Sequence, residues 1–261
     1  MKSVQTILND QYQLIQTERI RFLNNPYSAE RVHDLRVAIR ALRGLLKFLK
    51  RRLPPATFTD LDQTLGQAAQ LFGPLREIDV LIDKAGDYAY AHPEAQPQIA
   101  ALFEDFHDKR RQEMQRVLAE SVQQRLTSDL DRVREALRDL NLDSATGWSA
   151  YVLKEFRRRY QKLKKKYRQV DFNDYARVHQ IRKKAKTLRY SATYFNEFAP
   201  KLTTKVGRHA EKIQNKSGTI TDAHVNDDLL RKFAAQTTNP AEAALLLRIA
   251  TAQRAVIDAQ K

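Results

Sequence analysis

Apolar residues recur every three to four positions almost from one end of the chain to the other, the spacing that lays a single apolar stripe along an α-helix. The breaks fall at Asn24-Asn25-Pro26, Pro54-Pro55, Gly73-Pro74, His92-Pro93, Gly147, Pro200, Gly218 and Asn239-Pro240. With that punctuation the pattern predicts helices over 3–23, 28–52, 55–72, 75–91, 95–123, 126–140, 147–168, 174–198, 200–216, 222–236 and 240–259. No segment alternates with period two between hairpin residues, so the expected fold class is all-α with no sheet. The core stripes are explicit. In helix 28–52, Leu35, Ala38, Ile39, Leu42, Leu45, Leu46 and Leu49 share a face about 120° wide, and in helix 174–198 Ile181, Ala185, Leu188, Ala192 and Phe195 do the same.

An internal repeat organises these helices. VHDLRVAIRALRGLLKFL from Val32 and VHQIRKKAKTLRYSATYF from Val178 superpose on a shift of 146 residues, placing His33 on His179, Arg36 on Arg182, Arg40 on Lys186 and Arg43 on Arg189. Downstream, FGPLREIDVL (Phe72–Leu81) faces SGTITDAHVN (Ser217–Asn226) and keeps the glycine. The weakest join lies at 141–147, where Asp143, Ser144, Thr146 and Gly147 gather before Trp148. The expectation is a duplicated helical bundle with approximate two-fold symmetry, its halves 1–144 and 145–261 packed as one compact domain. A period this long is not that of a solenoid.

Composition supports long helices and narrows the rest. Among 261 residues, 42% are hydrophobic, enough for a core, and only 7 are Gly and 8 Pro. Cysteine is absent, which removes disulfides and thiolate chemistry and fits a reducing compartment. The first residues, MKSVQTILNDQYQLIQ, have no apolar signal region, and no stretch approaches the ~20 apolar residues of a membrane span. A soluble, cytoplasmic protein is expected.

Charge changes the picture most. The net formal charge is +15. Residues 31–52 hold eight basic residues and one acid, and residues 154–189 hold fifteen and three, so the remaining 203 residues are net negative. On helix 28–52, His33, Arg36, Arg40, Arg43, Lys47 and Arg51 fall opposite the apolar stripe within about 80°. On helix 174–198, His179, Arg182, Lys186 and Arg189 repeat the arrangement, with Lys183 at the edge. The plain alternative is a solvated face. Such faces mix signs, however, and like-charged i,i+3 and i,i+4 neighbours here cost the helix roughly 1–2 kcal/mol. A cost built in twice points to an anion that offsets it. One cation per turn over ~20–25 Å suits a long polyanion better than one nucleotide. The phosphate-cradling glycine motifs GxxxxGK[ST] and GxGxxG are absent. Base readers interleave aromatic or amide side chains, and only Tyr190 stands near the second stripe.

VHDLRVAIRALR and VHQIRKKAKTLR each resemble the signature helix of the CHAD family, the conserved histidine α-helical domain, and GPLREIDVL resembles the turn and helix that follow it. The resemblance covers nearly the whole chain. It implies two four-helix bundles about a pseudo-two-fold axis, with a basic central groove or pore that binds inorganic polyphosphate without chemistry and needs no cofactor. The binding set it implies is His33, Arg36, Arg40, Arg43 and Lys47 with His179, Arg182, Lys183, Lys186 and Arg189. Ala41 and Glu77 depart from the family pattern, where a second consecutive Arg and an Asp are common. No ExExK motif of an appended triphosphate-tunnel domain is present, so a stand-alone CHAD protein is expected, in the cytoplasm and associated with polyphosphate granules.

Further basic residues widen the candidate groove: Arg51, and Lys205, Arg208 and Lys212 within a stripe that also holds Lys201 and Lys216. The run KEFRRRYQKLKKKYR (Lys154–Arg168) carries nine basic residues and one acid, either as groove wall or as solvated face. Phe156, Tyr160, Leu163 and Tyr167 supply its core side. His33 and His179 are ligand contacts or structural groups. Neither has His, Asp or Glu at i+3 or i+4, against a metal site. Binding to a membrane surface is not expected, because the apolar faces are needed for the core. Nucleic acid bound through its backbone remains the alternative partner, and a polyphosphate-active enzyme the third reading.

Overall fold

A computed structural model describes residues 2–259. Among them are ten α-helices, four short 3-10 turns and no strand: α1 Val4–Asn24, α2 Ala29–Leu49, α3 Pro55–Leu71, α4 Gly73–Ala91, α5 Gln96–Leu118, α6 Glu120–Asp139, α7 Trp148–Arg168, α8 Tyr175–Tyr194, α9 Pro200–Gln236 and α10 Pro240–Asp258. Local chemistry sets many of the ends. Ser3 accepts from the Thr6 N–H, Asp174 from Arg177, and Asn239 from Ala241 and Glu242, each satisfying orphan donors of a first turn. Pro55, Pro200 and Pro240 open α3, α9 and α10, where a missing N–H costs nothing.

Two boundaries differ from the periodicity reading. The break expected at 123–126 falls at Ala119, which is extended (φ −54°, ψ 137°) between α5 and α6. No Gly or Pro marks it. The Gln123 amide turns back to donate to the Val117 carbonyl at 2.7 Å across the corner. The break expected at Gly218 does not occur, and α9 runs 37 residues through it. Gly218 is buried, and its bare face lies against the Arg182 guanidinium, 3.6 Å from where a Cβ would stand. Its role is close approach inside a helix, for which the propensity loss of about 1 kcal/mol is tolerable.

The core stripes are buried as expected, and burial on α2 extends beyond its stripe to Ala41, Gly44 and Phe48. It packs against α1, α3, α4 and α8. Gly44 lets α8 come close: a Cβ there would meet the Tyr190 ring at 3.4 Å and the Thr187 backbone at 3.9 Å. Phe48 packs at a tilt against Phe156 of α7 (ring centroids 4.6 Å apart) and Phe195 beyond α8 (5.5 Å), tying the end of α2 into the main apolar cluster. A second cluster joins Leu81, Ile99, Leu102 and Phe106 of α4 and α5 to Leu230, Leu245, Leu246 and Ile249 of α9 and α10. Both clusters therefore draw on residues from each side of position 144.

The join itself is pinned. Asn141 and Gly147 adopt left-handed backbone (φ 42° and 77°), which Gly accepts without strain. Arg52 donates to the Thr146 carbonyl and sits over the Trp148 and Tyr151 rings. Gln5 bridges the Leu137 carbonyl and the Leu142 N–H. In the GPLREID segment, buried Asp79 accepts from Arg110 of α5 at 2.7 Å, and Arg110 also reaches the Pro26 carbonyl. That acid is a structural strut between helices.

Candidate functional site: a cationic cleft between α2, α7 and α8

The crossing of α2 and α8 forms the floor of an open cleft of about 900 Å³, with α3 along one side and α7 along the other. α7 is held there by the carbonyl end of α2. Arg159 donates to the Lys47 and Phe48 carbonyls (2.5 and 3.3 Å), and the Tyr151 hydroxyl donates to the Phe48 carbonyl at 3.0 Å. These donors complement the negative end of the α2 dipole. Buried Glu155 accepts from both Arg158 and Arg159, fixing them in place.

Twelve Lys or Arg residues line the cleft against one carboxylate, Asp62. Of the expected set, Arg40, Arg43 and Lys47 of α2 and His179, Arg182, Lys183 and Lys186 of α8 all contribute to the lining. Arg43 donates to Asp62 at 2.5 Å, and Lys47 lies 3.2 Å from the same carboxylate. Burial alone would raise the Asp62 pKa, but the Arg43 hydrogen bond and the Lys47 charge hold it below the usual carboxylate range. Arg182 donates to Asp222 of α9 at 2.7 Å. The other seven cations of the lining make no ion pair among the described residues: Arg40, Lys50, Lys162, Lys166, Lys183, Lys184 and Lys186.

Crowding marks the centre. Partial burial pushes the Lys186 ammonium down to about 8, with Arg182, Arg40 and Arg189 adding to the shift and Asp222 opposing it. Arg40 meets solvent through the open side of the cleft but is walled by protein around it. That enclosure lowers its pKa, Tyr190 opposes the shift, and Arg182 deepens it. Cations of both signature helices therefore act on one another across the crossing.

His33 and Arg36 stand on α2 before Arg40, outside the cleft lining. Arg36 is 8% exposed and lies over Gly73, with its Nε and Nη1 groups lacking an acceptor among the described residues. Burial lowers it to about 10, the Arg40 charge adds, and Glu77 opposes. The His33 pKa falls through burial and then through Arg76, Arg40 and Lys186, and the His179 pKa through burial and then through Lys183, Arg182 and Lys186. Burial thus leads the charge effect expected from sequence. Arg189 sits at the margin, over the Tyr190 ring and 3.8 Å from Glu211. Arg51, Lys205, Arg208 and Lys212 are exposed and lie outside the lining.

Residues that periodicity on two helices could not find complete the site. Lys50, Lys162, Lys166 and Lys184 line it, and Arg76 of α4 faces His33 and Arg36. For α7 the signal was present, since its run of basic residues was one of the two that carry the excess charge. For Asp62 there was none, because only the α2–α3 packing brings it to Arg43. Gly66 leaves room for that guanidinium, which would stand 3.2 Å from a Cβ. Among the described residues, no three His, Cys, Asp or Glu side chains gather to hold a metal, and no helix is long and apolar enough to cross a membrane.

The fold and this cleft define an all-helical protein built around a concentrated positive field. The CHAD domain family model matches residues 6–231, and the chain belongs to that family. The structure is similar to the crystal structure of the CHAD domain from the plant Ricinus communis, with a TM-score of 0.73 and 22% identity over 98% of this chain and 88% of that one. At that identity the likeness concerns the fold. No curated protein matches the chain.

Proposed function

We propose that this protein binds inorganic polyphosphate, without turning it over, in the cleft between α2, α7 and α8. The observation that carries the reading is the cleft's charge: twelve cations against one acid, seven of them without an ion partner among the described residues. A chain of repeating phosphates carries anions more closely spaced than helical turns, so each cation of a stripe can meet one, and neutralisation releases counterions. The polyphosphate binding implied by the family resemblance agrees with this chemistry. The proposed ligand set is Arg40, Arg43, Lys47, His179, Arg182, Lys183 and Lys186 of the lining, with His33, Arg36 and Arg189 beside it, and association with granules in the cytoplasm is part of the same proposal.

Two details favour polyphosphate over nucleic acid and over catalysis. The cleft's aromatic rings, Phe58 and Tyr190, are covered by Lys50 (4.7 Å) and Arg189 (5.0 Å), so neither offers a free face for a base. The lone carboxylate, Asp62, is engaged by Arg43 and Lys47 and is poorly placed to act as a base. A repeated arrangement supports the duplication of 1–144 in 145–261. Arg36 lies over Gly73 and near Glu77, and Arg182 lies over Gly218 and bonds Asp222, four residues on in each case.

The test is a thermal-shift titration with long-chain polyphosphate, tripolyphosphate and duplex RNA at matched phosphate concentration. At a hundred times its dissociation constant a ligand stabilises by about 2.7 kcal/mol, several degrees for this chain. Long polyphosphate should give the largest shift, and Arg40→Glu with Lys186→Glu should abolish it, while Arg125→Glu with Lys232→Glu should leave it. Equal shifts with RNA, or equal losses from both variants, would make the protein a general backbone binder or remove the cleft from the account.

A further inference from the structure

Where the α7 wall meets α8, lysines gather that belong to neither cationic stripe. Lys162 and Lys166 stand one turn apart on α7, and Lys184 of α8 lies against Lys166 with Lys162 close by. Burial and these two neighbours hold the Lys184 pKa below the usual lysine range. Three ammonium groups on one groove wall repel one another, and a counter-charge would relieve that repulsion. Neither nearby acid supplies it. Glu155 is buried and occupied by Arg158 and Arg159, and Asp62 is occupied by Arg43 and Lys47. All three residues are exposed overall and line the cleft.

We propose that Lys162, Lys166 and Lys184 form an outer phosphate subsite, separate from the α2–α8 centre, that takes the units of a long polyanion as it leaves the cleft between α7 and α8. The inference rests on the polyphosphate reading and deepens it. The centre, around Arg40, Arg182 and Lys186, grips a few phosphates, and the outer lysines make affinity grow with chain length. A ligand too short to span both places does not gain from them. Selection for long chains is therefore a property of the α7 wall and the α8 residue beside it, outside the two cationic stripes.

The test compares wild type with Lys162→Gln/Lys166→Gln/Lys184→Gln, using calorimetry with long-chain polyphosphate and with tripolyphosphate. Loss of three phosphate contacts should weaken long-chain binding about tenfold or more and flatten the slope of log K against log salt by about 2. Tripolyphosphate affinity should stay within about twofold. Amine acylation gives a second readout on the unmutated protein: long chains should protect Lys166 and Lys184, and tripolyphosphate should not. Unchanged long-chain affinity, equal losses for both ligands, or equal protection by both would overturn the subsite. A wild-type protein that binds no polyphosphate at all would instead refute the reading on which the subsite rests.

Discussion

Lys186 offers the sharpest test of whether the cleft is a strained site. Its ammonium is held at about 8, against 10.5 for a free lysine, by partial burial and by Arg182, Arg40 and Arg189, with Asp222 opposing. The folded state therefore binds this proton less tightly than the unfolded chain. At 1.36 kcal/mol per unit, the charged form destabilises the unliganded fold by on the order of 3 kcal/mol. That penalty is fully present below pH 8. It is relieved between pH 8 and 10.5, where the folded amine is already neutral while the unfolded one still binds a proton. Lys186→Met keeps the apolar stem and removes the charge. At pH 7 the unliganded variant should melt about 5–10 °C above wild type, and the gap should close as pH rises from 8 to 10.5. Stabilisation by long-chain polyphosphate should fall in the same variant, because the removed charge is the one the ligand relieves. The assay is thermal unfolding of both proteins across that pH range, with and without ligand, so that all other titrating groups cancel in the difference. A variant less stable at pH 7, with a gap independent of pH, would refute the reasoning.

Three further outcomes follow from the same geometry. The lowered pKa values of His33 and His179 keep both rings neutral to lower pH in the free protein, and a bound polyanion opposes that shift. Affinity should thus increase severalfold from pH 8 to 6, and His33→Gln with His179→Gln should flatten that profile in a calorimetric series. Asp62→Asn should tighten long-chain polyphosphate binding a few-fold by freeing Arg43 and Lys47, while lowering stability at pH 7 by about 1 kcal/mol. Because the Asp62 pKa is depressed, that contribution is present above the unfolded carboxylate pKa and lost as pH falls through the folded value, so the two proteins should converge in acid. An unchanged affinity would show that Asp62 is no competitor. Gly218→Ala should be tolerated and raise stability by up to about 1 kcal/mol, since an added Cβ finds its nearest neighbour at an ordinary 3.6 Å. A clear drop in melting temperature would mean that the Arg182 guanidinium needs that bare surface.

Periodicity and charge made much of this protein legible in one dimension. Eight of the ten helices, all but α2 and α6, have a Gly, a Pro or a bonded capping side chain at an end, because those residues act on the backbone locally whatever the tertiary context. The core faces of α2 and α8 were readable because a 3.6-residue repeat fixes which side chains share a side. The two cationic stripes were readable for the same reason, as was their doubling.

What periodicity could not assign was the environment of each face. Gly218 carries the sequence mark of a break, yet α9 runs through it, with the Arg182 guanidinium packed against its bare face. The turn at Ala119 has no local mark, since the side chain that crosses it belongs to Gln123. Burial of Arg36, pairing of Arg43 with Asp62, and capping of α2 by Arg159 all join residues far apart in sequence, and no repeat along one helix encodes them. The sequence determined the helices, their apolar sides and the amount of positive charge. The tertiary structure decided which of those charges are paired, which are crowded and which stay open to a ligand, because electrostatic energy depends on distance and burial in space and not on position along the chain.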